Sequence, residues 1–348
     1  MSITNDRLAQ SWSRMVSDLN AFGTSALEQS DPLDSAEGLR HSLRFLGHLT
    51  DYYIERADPL RPEFWSVMSP SRKFYGDGVD MVYDLAIIDG RQTYRIRGKV
   101  GSGPYLAFIV YRRGAERFRG NIVITDSDVN DDGTFELLIG PDIGDALGIS
   151  TDAESIEVVA RQYFNDRSTE TPATYEIERV GDLVGPRTPL DSETMAAALD
   201  RIGHALSVAN RRLLSSAQRL SRTPNTITTE RGTGASHFYG TTSNVYQWGW
   251  WKLDEDETLQ LHLPAVSSVY EGIQLLNVWM ESLEYRDHCV TLNASEMKAE
   301  SDGSFIVNVG EHPVGHNDLD TCGHREGIVL VRFLESTEEV PETSARVL

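Results

Sequence analysis

Apolar positions along the first sixty residues follow a helical period. Leu8, Trp12, Met15, Val16 and Leu19 recur at the three-to-four spacing of one helix face. A turn follows from Gly23 to Pro32. Asp34 or Ser35 then caps a second helix, with Leu39, Leu43, Leu46 and Tyr53 as its apolar stripe, and Pro59 and Pro62 end it. Residues 1–68 thus read as an N-terminal helical hairpin.

From about residue 74 the period changes to two. In DMVYDLAIIDGRQTYRIRGK, Asp89-Gly90 carries the chemistry of a type I′ turn between two alternating strands. A two-residue loop sets Ile88 against Arg91, Ala86 against Thr93, Asp84 against Arg95 and Asp80 against Lys99. Met81, Tyr83, Leu85 and Ile87 then share a core face with Tyr94 and Ile96. In this register Arg95 and Lys99 have cross-strand acids, whereas Arg97 faces Val82 and is left available for a ligand.

Further strands are predicted at 104–112, 121–125, 134–140, 155–164 and 173–180. After an interruption they resume at 246–253, 258–263, 273–283, 289–293, 304–309 and 327–334. The interruption holds a long helix over 191–220 with Ser192 as its cap, then a Ser/Thr/Gly/Asn-rich stretch over 221–245 that reads as a loop or lid. The fold class is therefore mainly β with helices: a jelly-roll or β-sandwich-like core, an N-terminal helical hairpin and one long inserted helix. The expected divisions are 1–68 (helical), 69–185 (first β-module), 186–245 (inserted helix and lid-like loop) and 246–348 (C-terminal β-module). One echo runs between the modules: DDGTFELLIG at 131–140 and SDGSFIVNVG at 301–310. Either hairpin chemistry or a duplicated module accounts for it.

Composition narrows the function classes. With 53 acids against 32 bases and a net charge of −21, the chain lacks the basic footprint that nucleic acid or an anionic membrane requires. MSITNDRLAQSW has neither the basic nor the apolar region of a secretory leader, and no segment approaches the ~18 apolar residues of a membrane span, so a cytoplasmic location is expected. Cys289 and Cys322 are too few for a disulfide framework and read as buried, inert thiols. GxSxG, Walker and HExxH patterns are absent, and GKVGSG lacks the spacing of a dinucleotide loop. No cofactor is expected.

Several of these segments resemble one family. YGDGVDMVYDLAIIDGRQTYRIRG, DDGTFELLIG and VVARQYFNDR are similar to segments of the domain of unknown function 1214 proteins, often found with domain of unknown function 1254. The closest likeness is VTLNASEMKAESDGSFIVNVGEHPVGHNDLDTCGHREGIVLVRF. The resemblance spans residues 70 to 335. It implies a β-sandwich or jelly-roll core and no settled activity. Tyr83, Arg161 and Asn293 fall within the matched runs and are carried as ligand-binding candidates. Asp318 stands where that family tends to have Trp, which makes a pocket wall there polar and acidic.

The densest chemistry is HPVGHNDLDTCGHREG, residues 312–327. As an acid–base site, Asp320 orients His324, and Arg325 or Arg97 binds an anionic group. As a metal site, His312 and His316 are weak candidates, since Pro313 and Gly315 forbid the helix that would align them. The plainer alternative has Asp320 and Thr321 bonding the loop backbone and His324 packed at a strand start. DSDVNDDG matches half a calcium loop and lacks its closing Glu, so it reads as a solvated turn. In YQWGWWKL, Trp250 is either core or the wall of a cavity.

Three functions fit. The first is a cofactor-independent hydrolase, hydratase or isomerase acting on a small apolar or carboxylated molecule in a sandwich cavity, with His324, Asp320 and Arg325 as its catalytic groups. The second is a non-catalytic ligand-binding or protein-interaction module. The third is a metal-dependent enzyme using the 312–324 cluster. The expected partner is a small molecule, and an oligomer is compatible with each reading.

Overall fold

Helix α1 (Ile3–Leu27) is followed by α2 (Pro32–Thr50), which starts one turn earlier than the sequence suggests. Asp31 is its N-cap, accepting the Leu33 N–H at 2.7 Å, and Pro32 fits the first helical position because its missing N–H would have no partner there. The structure is a computed structural model describing residues 3–114, 117–182, 184–230, 240, 243–311 and 315–348. Among these residues it is mainly β, with eighteen strands in four sheets and three α-helices, and no helix is long and apolar enough to cross a membrane.

The chain divides into two compact units. The first comprises Met1–Arg72, Val82–Gln162 and Thr171–Arg212; the second comprises Lys73–Met81, Tyr163–Glu170 and Leu213–Leu348.

The strands of the first unit are β1 (Trp65–Ser66), β2 (Met81–Ile87), β3 (Tyr94–Lys99), β4 (Tyr105–Arg112), β5 (Phe118–Val123), β6 (Thr134–Gly140), β7 (Gly148–Ser150), β8 (Ser155–Tyr163) and β9 (Thr174–Arg179). They form sheets of order β1-β2-β8-β4-β5 and β7-β6-β3-β9. Ala86, Phe108 and Val158 from one sheet join Ile96, Leu137 and Ile177 from the other in a single core, so the two sheets face each other.

This arrangement corrects the predicted hairpin: β2 and β3 lie in different sheets. Arg95 and Arg97 pair with Glu136 of β6 and Glu178 of β9 instead of Asp84 or a ligand. Gly90 has no positive φ; it is required because a Cβ there would lie 1.9 Å from the Asp152 carbonyl oxygen. The Asp-Gly pair is a crossing between sheets, which a two-residue hairpin signal cannot be told from locally.

The face that α1 and α2 bury also differs from the leucine pattern. Met15, Phe22 and Ala26 are buried, and α2 turns inward His41, Phe45 and His48, each ring about one turn from the next. Leu43 is 63% exposed and Trp12 56%. Aromatic and imidazole edges pack here where a leucine stripe was expected. Helix α3 (Ser192–Leu220) runs as predicted, but Asp191 rather than Ser192 caps it, accepting the Thr194 N–H at 2.7 Å.

The second unit holds β10 (Thr226–Glu230), β11 (Asn244–Lys252), β12 (Leu259–Leu263), β13 (Tyr270–Leu276), β14 (Thr291–Asn293), β15 (Phe305–Gly310), β16 (Asp318–Asp320), β17 (Glu326–Leu334) and β18 (Ser344–Val347). Its sheets run β10-β11-β17-β13-β14 and β16-β15-β12-β18, around a core with Trp251, Leu261, Ile273, Val307 and Val331. Two differences from the sequence reading appear. β10 occupies the start of the expected loop; Asn225, with φ 58°, turns the chain into it. β13 stops at Leu276, because the Asn277 side chain takes the N–H groups of Trp279 and Glu281, both at 3.0 Å. Most of the rest of the expected lid, 231–239 and 241–242, lies outside the described residues.

The two units repeat one strand order. β2-β8-β4-β5 matches β11-β17-β13-β14, and β9-β3-β6-β7 matches β18-β12-β15-β16. The sequence echo falls on the equivalent strands β6 and β15. Each takes a short parallel strand in the same register, Gly140 against Ser150 and Gly310 against Asp320. Each is then closed by a threonine N–H on the glycine carbonyl, Thr151 to Gly140 at 2.9 Å and Thr321 to Gly310 at 3.2 Å. The duplicated module accounts for the echo.

Candidate functional site

Within the first unit, α2 ends in a π-helical turn, Asp51–Glu55, where the Arg56 N–H reaches back to the Asp51 carbonyl at 2.9 Å. This wider turn brings Tyr52 and Tyr53 to a cavity of about 740 Å³. Arg201 and His204, three apart on α3, enter from a second side. The β4–β5 turn supplies Arg112, Arg113 and Arg117; the β7–β8 turn supplies Ala153 and Ser155; the β2–β3 crossing supplies Asp89 and Arg91. Ile87, Ile88, Ala57 and Pro59 complete an apolar wall.

The electrostatics of this cavity run against those of the chain. Among the described residues, five arginines and one histidine face it, with Asp89 as the sole carboxylate in its lining. Two of the arginines are committed. Arg91 grips Asp89 through Nε and Nη2 at 2.9 and 2.8 Å, which holds that carboxyl below its usual range. Arg117 donates at 2.6 Å to Glu157, a fully buried side chain that also accepts from the Tyr52 hydroxyl. Arg112 lies 3.5 Å from Asp152. Arg113 and Arg201 have no carboxylate partner among the described residues, and Arg201 sits 5.6 Å over the Tyr53 ring. Burial, and then the charge of Glu157, push the Tyr53 hydroxyl up, so Tyr53 stays a neutral donor.

The residues singled out from sequence fall elsewhere. Arg97 is held between Glu136 and Glu178, at 2.8 and 3.1 Å, on an exposed strand face. Arg161 and Tyr83 are brought together, the guanidinium 5.1 Å over the ring, both buried; neither lines the cavity. In the second unit, Asn293 donates to Asp80 at 3.1 Å and to the Asn165 carbonyl at 3.0 Å, while Asp80 also accepts from Tyr270 at 2.8 Å. That buried set pins the 73–81 segment, and burial pushes the Asp80 carboxyl up. Trp250 is buried and donates to Glu326 at 3.0 Å. Asp318 accepts from Asn308 at 3.1 Å. His316 contacts Lys298 at 3.2 Å, and His312 lies outside the described residues.

The proposed dyad changes partner. Asp320 bonds His288 Nδ1 at 2.8 Å and the Cys322 N–H at 2.7 Å, whereas His324 is buried with Nδ1 at 3.0 Å from the Thr321 carbonyl. Arg325 reaches the exposed Glu255 at 3.4 Å. Cys289 is exposed and Cys322 half-buried, so neither thiol is in a sealed core. His288 is thirty-two residues from Asp320, and no local pattern signals that pairing. The arginine cavity did leave a trace: RRGAERFR, residues 112–119, concentrates four arginines in a strongly acidic chain.

Among solved structures, the chain is similar to an uncharacterized protein from Burkholderia cenocepacia, with a TM-score of 0.94 and 27% identity, over 99% of this chain and 98% of that one. It is also similar to a protein from Vibrio parahaemolyticus, with a TM-score of 0.51 and 10% identity, over 98% of this chain and 100% of that one, a likeness of fold alone. No family model matches the chain, and no curated protein sequence does.

Proposed function

We propose that the protein binds a small anionic molecule with an apolar or aromatic body in the arginine-lined cavity of its first unit. The observation that carries this reading is the concentration of Arg112, Arg113, Arg117 and Arg201 around about 740 Å³ in a chain of net charge −21. Glu157 and Asp152 already offset Arg117 and Arg112, so the positive charge left for an anion is that of Arg113 and Arg201, which have no carboxylate partner among the described residues. Planar guanidinium groups suit carboxylate or phosphate, and the volume fits the ~300–1,000 Å³ range of small-molecule pockets. Tyr53, Ile87 and Ile88 give the ligand's apolar body a wall. Each unit, in this reading, is a jelly roll, with the cavity formed where helices α2 and α3 cover one end of the first.

The site so described is a binding site; the acid–base groups expected around residue 320 take no part in it. Thermal denaturation with inorganic phosphate, benzoate and phenyl phosphate tests it. A ligand that binds only the folded state raises the melting temperature in proportion to the logarithm of its concentration. Phenyl phosphate should stabilise more than phosphate alone, and Arg113→Glu and Arg201→Glu should abolish the effect. Equal response in wild type and both variants, or none with any of the three anions at millimolar concentration, would overturn the reading.

A further inference from the structure

We infer that His288, Asp320 and Cys322 of the second unit form a binding site for a thiophilic divalent cation, of which zinc is the best fit. One donor atom from each lies within 4.8 Å of the others. Zinc bonds of ~2.0–2.3 Å in a tetrahedron place neighbouring ligand atoms roughly 3.3–3.8 Å apart, so side-chain rotation of about 1 Å closes the set. Imidazole, carboxylate and thiolate together select zinc, or cobalt in its place, over magnesium and calcium, which take oxygen ligands.

The backbone around the donors is fixed. The Asp320 N–H bonds the Cys289 carbonyl at 2.7 Å, tying the loop that carries His288 to β16. Thr321 is tied to Gly310 at 3.2 Å. Directly after these two anchors Cys322 takes the left-handed conformation, φ 54°, a backbone state that a β-carbon makes costly. The Asp320 carboxylate receives the N–H of Cys322 at 2.7 Å, and the Cys322 thiol lies 3.7 Å from the Asp320 carbonyl oxygen. His288 is exposed, while Asp320 and Cys322 are half-buried, leaving a fourth position for water.

A second observation is the internal duplication. The arginine cavity is built partly from the β4–β5 and β7–β8 connections of the first unit, joined by the Arg113 N–H on the Glu154 carbonyl at 2.9 Å. The His288 loop and the Cys322 turn are the corresponding β13–β14 and β16–β17 connections of the second, joined by Asp320 on Cys289. The same end of each sandwich thus gathers polar chemistry, cationic in one unit and metal-ligating in the other. Nearby Glu296 and Asp318 add negative potential, which attracts a dication. On binding, Cys322 gives its thiol proton to solvent and His288 enters as the neutral imidazole, so metal uptake releases protons and strengthens as pH rises.

Titration of the full chain with zinc chloride, and absorption spectroscopy with cobalt chloride, test the site. One equivalent should bind, and cobalt should give the near-ultraviolet charge-transfer band of a metal–thiolate bond. Cys322→Ser should remove that band, His288→Ala should weaken zinc by at least about tenfold, and Cys289→Ser should change neither. The absence of a thiolate band in wild type, or its persistence in Cys322→Ser, would overturn the inference without recourse to any variant's stability. Loss of anion binding in the first unit would leave it standing.

Discussion

The Tyr52 hydroxyl donates to Glu157, a carboxylate with no exposed surface, and so ties the end of the helical hairpin to β8. Arg117 neutralises the other oxygen at 2.6 Å. Tyr52→Phe removes one charge-assisted hydrogen bond and should cost ~1.5–3 kcal/mol in urea denaturation. Arg117→Ala should cost more, ~3–5 kcal/mol, because it strands a buried charge. Adding Glu157→Gln to Arg117→Ala should recover part of that loss; no recovery would show that Arg117 matters through packing alone.

The arginines of the cavity are not equivalent, and their partners sort them. Arg91 is already satisfied by Asp89 through two bonds, while Arg113 and Arg201 have no carboxylate among the described residues. Arg113→Ala and Arg201→Ala should each weaken phenyl phosphate by about tenfold, the scale of one charge-assisted contact, and Arg91→Ala by less than about twofold. Calorimetric titration of the three variants checks the order. An Arg91 variant as weak as the others would remove the distinction.

Two buried groups bound the pH range from opposite sides. His48 is held down to about 4, mainly by burial and then by Arg72, so its neutral form belongs to the folded state. The unfolded chain takes up its proton first, and this contribution is lost as pH falls from about 6.5 through 4. Glu271 is pushed up to about 7 by burial, and its Oε1 has no hydrogen-bond partner among the described residues. Here the folded state holds the proton, so the contribution is present below about 4.5 and is lost as pH rises through 7. Glu271→Gln should therefore stabilise by ~1–3 kcal/mol at pH 8 and change little at pH 4. His48→Leu should flatten the acid limb only. Denaturation curves from pH 4 to 8 measure both.

Periodicity carried most of the strands, because alternation over six or more residues reports a face directly. β6 was legible residue for residue, and β4, β8, β11, β12, β15 and β17 lay within two residues of expectation. The strands β1, β7, β16 and β18 were missed, since two to four residues hold too little pattern, and β10 was missed inside a Ser/Thr-rich stretch with few apolar positions. The site was less legible for a different reason. Glu157 and Arg117 are forty residues apart, and His288 and Asp320 thirty-two, so each pairing is made by sheet topology and by no local spacing. His41, Phe45 and His48 hid the buried face of α2 because imidazole counts as polar in a sequence yet packs as an aromatic ring.

Gly90 tests the crossing that the hairpin pattern obscured. Its N–H bonds the Ser155 carbonyl at 2.9 Å, and its own carbonyl accepts the Thr151 hydroxyl at 2.6 Å. A Cβ at this position would lie 1.9 Å from the Asp152 carbonyl oxygen and 2.7 Å from the Ser155 Cβ, so two backbone turns would have to part. Gly90→Ala should cost at least about 1–3 kcal/mol, the range of overpacked sites, even though alanine suits the backbone angles. The same turns carry Asp89, Ala153 and Ser155 into the cavity wall, so phenyl phosphate affinity should fall as well. Gly185→Ala is the control, since a Cβ there meets nothing within 4 Å and should leave both stability and binding unchanged. Were Gly90 merely the second residue of a tight hairpin, alanine would strain the turn and spare the ligand, so the loss of affinity separates a sheet-to-sheet crossing from a hairpin.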